Sequence, residues 1–379
     1  MMTDNLALSN GTTGRAVETV SGPGVNTLTI DSCLLQRSND AAISTADTTL
    51  VMSRTAVRDT LPIAGNDSSF GVGVALYQTT FTISQSTVER AHTSAVELVQ
   101  SKGSIVNSTV KDTLSIGDPQ IVYTGIRAVS SNSNPTELTL KSSTISGTPQ
   151  VAIMVYKSTA TIEGALVYNN MVDLAHARGA PVLADTGTIT MRYSVLTENW
   201  GGGLLIRRGS GLLDSSVVKD VQLELGFGPC AAVIRLPNEV PADLKVSASL
   251  LEGCSQVGAV SYQGNLTVEN SLVHDVFPSV EGFGGDAISV VNEKMPDGAL
   301  TVRSTLVDEA TRAGISSFGA SATVEKSAIL CTKFGIVAEP LDMYTANVAL
   351  PEDSLCGCDD AMGACTVETA GIEVSADLY

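Results

Sequence analysis

Acidic residues fall in two pairs whose types suit acid–base or cation chemistry, Glu198 with Asp220 and Asp275 with Glu309. If the fold places each pair on neighbouring strands, the carboxylates stand about 5 Å apart. At that distance they can share a proton, hold Ca²⁺, or act as acid and nucleophile on a glycoside. Surface carboxylates also occur in such pairs without any task, screened by water and salt. Aromatic rings are the second candidate. Trp200, the single tryptophan, precedes Gly201-Gly202-Gly203 and is the best lone ring for contact with a sugar face. Phe70, Tyr123, Phe227 and Phe283 each stand shortly before a glycine. As a row they either stack on sugars or fold their own loops down onto the protein.

Cysteines carry the third kind of chemistry. There are seven, and Cys331, Cys356, Cys358 and Cys365 crowd the end of the chain. Such density points to disulfides and an oxidising compartment. Zinc ligation by these four, at a non-standard spacing, and free thiols are the alternatives.

The bulk composition sets bounds. Net charge is −18, which makes nucleic acid or an anionic membrane surface a poor partner. Hydrophobic residues are 43% of the chain but aromatics only 4%, so the core must be built from aliphatic side chains. No apolar run reaches the ~18 residues that would span a membrane. Residues Met1 to Thr13 lack the charged and apolar regions of a signal peptide. Gly14-Arg15-Ala16-Val17 reads as the last strand of a coil whose beginning is absent.

What must position these groups is a repeat. Leu266-Thr-Val-Glu-Asn-Ser-Leu-Val273 returns as Leu300-Thr-Val-Arg-Ser-Thr-Leu-Val307. Taking the third residue as an anchor gives Ile30, Met52, Ile83, Ile105, Leu140, Ile162, Met191, Leu213, Val246, Val268, Val302 and Val324. Short steps of 22 residues alternate with long steps of 29 to 35. Five places after the anchor every coil carries an aliphatic residue, and three places after it every coil carries a small one, usually Ser. A period of two on either side of one extra residue describes strand, tight bend, strand. A third strand follows, as in Gly73–Leu76, Gly125–Ala128 and Ala287–Val290. The ladder serines are expected to face inward and pair with one another. The expected fold is all-β, a right-handed parallel β-helix of twelve to thirteen coils with three strands per coil. It is expected to span residues 1–339, with a Cys-rich cap over 340–379. A β-sandwich would not need matched residues at a fixed 22-residue step.

The segment Val57-Arg-Asp-Thr60, the later Phe70-Gly-Val-Gly-Val74 and the alternating coil lengths resemble the right-handed β-helix repeat proteins of myxobacteria and related bacteria, within the pectin-lyase-like superfamily. The resemblance covers about residues 14 to 339 and implies an exported or cell-surface protein. The enzymes of that superfamily are only partly matched. Asp359-Asp360 lies in the Cys-rich tail, Arg207-Arg208 has no matching His, and His92, His176 and His274 are dispersed.

Within this frame the long coils gain their extra residues after the second strand, in segments 58–72, 111–124, 168–181, 219–231 and 274–286. These loops form a comb along one edge and are the expected binding surface. Charges after the second strand form columns: Arg37, Asp59, Arg90 and Asp112 seven places after the anchor, and Lys219, Glu252, His274 and Asp308 six places after it. Cys230 and Cys254 fall on neighbouring coils, where a disulfide would pin a loop, whereas Cys33 reads as a buried thiol. The expected function is a non-catalytic surface scaffold or glycan-binding, adhesin-like module. The alternative is a polysaccharide-active enzyme, whether lyase, glycoside hydrolase or epimerase. Ca²⁺ is the one cofactor the acidic surface suggests. The oligomeric state is not legible.

Overall fold

The structure, a computed structural model, describes residues 14–19, 26–63, 71–116, 121–131, 134–171, 180–222, 228–239, 242–279, 282–294, 298–358 and 361–374, and the backbone of Met2–Thr3. It forms two compact units, Met1–His176 with Asp185–Ile189, and Ala177–Ala184 with Thr190–Tyr379.

The first unit is a right-handed parallel β-helix. Its anchors stack in register, Ile30 on Met52, Met52 on Ile83, Ile83 on Ile105 and Ile105 on Leu140. On the second strand Val88 pairs with both Val57 and Val110, and all three side chains are buried. The third strands Ala41–Ala46, Val72–Tyr77, Ser94–Val99 and Thr124–Val129 form the third sheet. Val17–Thr19 is indeed a third strand, pairing with Ile43–Thr45. It is preceded by Met2–Thr3, which stacks on Leu35–Gln36 as a second strand. Each buried aliphatic rung contributes about 1.5–3 kcal/mol before entropy is counted. Gly103 shows how tightly rungs meet. A Cβ there would lie 1.9 Å from the carbonyl oxygen of Phe81 on the preceding coil, so the bulkiest rung is followed by the smallest residue.

The second unit repeats the plan. Leu213, Val246, Val268, Val302 and Val324 stack in order, as do Val218, Leu251, Val273, Val307 and Ile329 on the second strand. Residues 340–379 do not simply break the repeat. Asn347–Ala349, Leu355–Gly357 and Val367–Glu368 add one more strand to the first, second and third sheets. Gly363–Ala364 then turns back antiparallel on Leu355–Cys356, covering an edge that would otherwise offer free backbone groups.

Two bends recur in every coil. The residue two places after the anchor and the residue seven places after it are left-handed in all twelve coils, with φ between 45° and 63°. Only Gly164, Gly147 and Gly253 among these are glycine; the others accept a local cost on the order of 1–2 kcal/mol in exchange for continuous stacking. The small ladder residue follows the first bend, and its hydroxyl does not pair with the neighbouring hydroxyl. Ser249 is typical: its Oγ accepts the Ser216 N–H at 3.1 Å and donates to its own Ser247 carbonyl at 2.7 Å. Ser86, Ser108, Ser143, Ser216, Ser271 and Ser327 do the same, and Ser354 extends the ladder by accepting the Ser327 N–H. The row is a backbone-satisfying device, because a buried N–H left unpaired is costly. Cys33 occupies this position in an early coil but is half-exposed rather than buried.

The other six cysteines are all bridged, Cys230–Cys254, Cys331–Cys358 and Cys356–Cys365. The late four therefore form disulfides, and no thiolate remains among them for zinc.

Candidate functional site

The long coils do extend between second and third strands. Ala56–Thr60 leads to Val72–Tyr77, and Leu272–Phe277 to Asp286–Val291, whereas in a short coil Leu250–Ser255 leads directly to Val257–Tyr262. Part of the comb lies outside the described residues, including Phe70, Phe227 and His176, as do Asp359 and Asp360 in the tail. Tyr123 is 0% exposed and cannot present its ring to a ligand. It belongs to the loop's own packing, and its N–H donates to the Gln150 side chain at 2.9 Å. Phe283 is 41% exposed and Trp200 36%. Phe277, which the sequence pattern did not single out, is 50% exposed at the end of its strand.

The residues six places after the anchor face outward on the second strand, and those seven places after it occupy the left-handed bend. In the first unit both columns neutralise themselves. Glu89 accepts from Lys111 and Arg90, each at 3.0 Å, and forms an ion pair with Arg58 at 2.9 Å. Burial alone would raise its carboxyl, but the Lys111 hydrogen bond and the three cations outweigh it and hold the group below the usual range. Arg90 also clasps Asp59 through Nε at 2.5 Å and Nη2 at 3.2 Å. That hydrogen bond depresses Asp59 and raises Arg90.

The second unit places different residues on the same frame. Glu252, His274 and Asp308 are successive rungs of the outward column. Asp275 and Glu309 follow in the bend. His274 lies between two carboxylates, Nε2 at 3.2 Å from Asp275 Oδ2 and Nδ1 at 3.6 Å from Asp308 Oδ2. Glu309 is hydrogen-bonded to Asp275; that bond first, then repulsion from Asp275, raises the Glu309 carboxyl, with Asp308 adding to it and His274 opposing it. Among the described residues no Lys or Arg forms an ion pair with Asp275, Asp308 or Glu309. Glu252, His274 and Asp275 can each point a ligand atom to within 4.8 Å of the other two. Two carboxylates and an imidazole suit a three-ligand ion with open positions; a Ca²⁺ ion, which takes 6–8 oxygens, would need most of its shell from elsewhere.

Glu198 and Asp220 share the same bend on adjacent rungs, as Thr197 pairs with Lys219. Asp220 Oδ2, however, meets Lys219 Nζ at 3.5 Å and Thr197 Oγ1 at 3.4 Å. Of the two sequence-selected pairs, only in the second does one carboxyl raise the other.

A shallow groove of about 600 Å³ runs beside the cluster, lined by Ala248, Asn270 and Ser304 at the first bend and by Leu250, Leu272 and Leu306 on the second strand. Leu250, Leu272 and Leu306 lie two residues before Glu252, His274 and Asp308 and so share their face. The signal was present in the sequence as three successive outward leucines where three successive first-unit coils have Thr87, Thr109 and Thr144, although Leu34 and Leu166 hold the same position elsewhere in that unit.

No family model matches the chain, and no curated protein matches it. Among solved structures, the chain is similar to a periplasmic alginate epimerase, AlgG, at 8% identity and a TM-score of 0.49, over 87% of this chain and 74% of that one. It is also similar to the catalytic domain of a GH87 alpha-1,3-glucanase at 12% identity and a TM-score of 0.37, over 98% of this chain and 62% of that one.

Proposed function

We propose that this chain is an exported, polysaccharide-directed β-helix protein whose reactive centre is the Asp275–Glu309 pair with His274. This favours the polysaccharide-active enzyme over the non-catalytic scaffold. The observation that carries it is the His274 imidazole held between Asp275 and Asp308, with Glu309 beside Asp275 and its carboxyl raised by it. A carboxyl raised toward its protonated form next to a potential base is the arrangement general acid–base chemistry requires.

The geometry bears on the reaction type. A glycosidase holds its two carboxyl groups about 5 Å or more apart to fit the anomeric carbon or a water, whereas Asp275 and Glu309 are close enough for a hydrogen bond to raise Glu309. Proton removal at a sugar carbon, followed by return of a proton to its other face (epimerase) or by departure of the linked glycosidic oxygen, which takes up a proton (lyase), fits the arrangement better. The glycan would lie in the groove over Leu250, Leu272 and Leu306. Glu252, His274 and Asp275 would hold a divalent ion in that reading, supplying positive charge toward an anionic sugar that the protein's net charge of −18 would otherwise repel. The three disulfides support an oxidising compartment.

The test is a panel of neutral and acidic polysaccharides, with a divalent cation or with a chelator. Reducing ends, unsaturated ends and inversion at the sugar carbon are read separately. Turnover that falls 10²-fold or more in His274→Ala and Glu309→Gln, but not in Glu198→Gln, supports the proposal. Binding without turnover on every member would return the chain to the second reading, a glycan-binding scaffold. That reading draws on the self-neutralised columns of the first unit and on the exposed rings of Trp200 and Phe283.

A further inference from the structure

In the second unit the third strands Val257–Tyr262, Asp286–Val291 and Ala313–Phe318 are buried at all six positions, so their outward side chains are covered as well as their inward ones. Part of the cover is the chain's own end. Val367–Glu368 pairs with Ile336–Val337, and the segment then crosses the outward face. Ile372 and Val374 pack on Tyr262, Val291 and Phe318, and Val374 also meets the cluster of Leu205, Val257 and Val260. Two polar clasps hold it. The buried Glu339 carboxylate accepts the N–H groups of Ala370 at 2.6 Å, Gly371 at 2.7 Å and Ile372 at 3.4 Å. Gly371 is left-handed, with φ 65°, and this turns successive N–H groups toward one oxygen. Arg312, whose other donors grip Asp286 at 2.7 and 2.5 Å, reaches the Glu373 carbonyl at 2.9 Å.

The two sides of this contact are unequal. The face beneath is almost wholly buried, while the covering segment is mostly exposed and only Ala370, Ile372 and Val374 are half-buried. An element held by few side chains and two clasps opens well before the core does. Its root stays fixed, because Cys365 is bridged to Cys356 and Cys358 to Cys331.

We infer that residues 367–374 are a tethered latch over a peptide-binding seat. When it opens, the seat takes an extended peptide of the latch's own chemistry: a glycine turn whose N–H groups meet Glu339, followed by two apolar residues spaced two apart that fill the strip over Tyr262, Val291 and Phe318. The seat is separate from the Asp275–Glu309 centre and does not depend on it.

The test uses the full chain. Native-state hydrogen exchange should show the amides of Ala370, Gly371 and Ile372 exchanging together, ahead of Ile288 and Val290. Glu339→Gln should speed that group about tenfold, as expected for a loss of ~1.4 kcal/mol, and leave Ile288 and Val290 unchanged. A labelled peptide with the sequence of residues 366–374 should bind Glu339→Gln no better than wild type, because Glu339 anchors latch and peptide alike. An Ile372→Ser/Val374→Ser double variant loosens the latch without touching the body and should bind the peptide at least tenfold more strongly than wild type. Exchange of residues 370–372 only in step with Ile288 and Val290 would overturn the latch. An opened latch in the double variant that leaves the peptide unbound would overturn the seat.

Discussion

The outward face of the second strand reads differently in the two units. In the first, Arg58, Glu89 and Lys111 stand beside Asp59 and Arg90, every acid meets a cation, and Thr87, Thr109 and Thr144 line the neighbouring column. In the second, Glu252, His274 and Asp308 stand beside Asp275 and Glu309, and Leu250, Leu272 and Leu306 replace the threonines. The backbone is the same to within a few degrees at the bend, with φ 54° at Arg90 and at Glu309. One frame thus carries both kinds of surface by changing side chains alone: Arg90 and Lys111 lower the Asp59 and Glu89 carboxyls, and Asp275 raises that of Glu309.

Four substitutions sharpen or break this contrast. The largest effects should be equal in the two units, because the inner ladder is common to both. Ile145→Ala and Leu251→Ala should each cost about 2–5 kcal/mol in denaturant unfolding, and a marked inequality would mean that the frame is not shared. Glu89→Gln should cost about 1.5–3 kcal/mol at neutral pH. Glu89's folded pKa is lowered, so its stabilisation is present above the unfolded value of an ordinary glutamate and lost as pH falls through the lowered value; the wild-type advantage should vanish in acid. Glu309→Gln should act in the opposite direction and by less. Glu309's folded pKa is raised, so its favourable term is complete below the unfolded value and lost as pH rises through the folded one. The variant should be slightly more stable than wild type at neutral pH and no different in acid, as read by thermal unfolding at several pH values.

Much of the frame was legible because stacking demands matched residues. Val57, Val88 and Val110 could be placed on one ladder from spacing alone, and the Cys230–Cys254 bridge follows from neighbouring coils. What the ladder serines bond to was not legible, since an inward hydroxyl can meet another hydroxyl or a backbone group, and the bend at the preceding residue decides between them. The site was half legible. Spacing put Asp275 over Glu309 and Glu198 over Asp220 alike. Only the side-chain arrangement shows that Asp220 turns to Lys219 and Thr197, while Asp275 turns to Glu309 and His274. Tyr123 stayed open between two readings for a related reason: a ring beside a glycine is compatible with display or burial, and loop packing chose burial.

The carboxyl pKa of Glu309, followed by ¹³C NMR across a pH titration of the intact chain and of Asp275→Asn, addresses the effect of Asp275 on Glu309 most directly. Glu309 should titrate above the ordinary glutamate range in wild type and return toward it in the variant. Titration at or below the ordinary value in wild type, with no response to Asp275→Asn, would contradict the account.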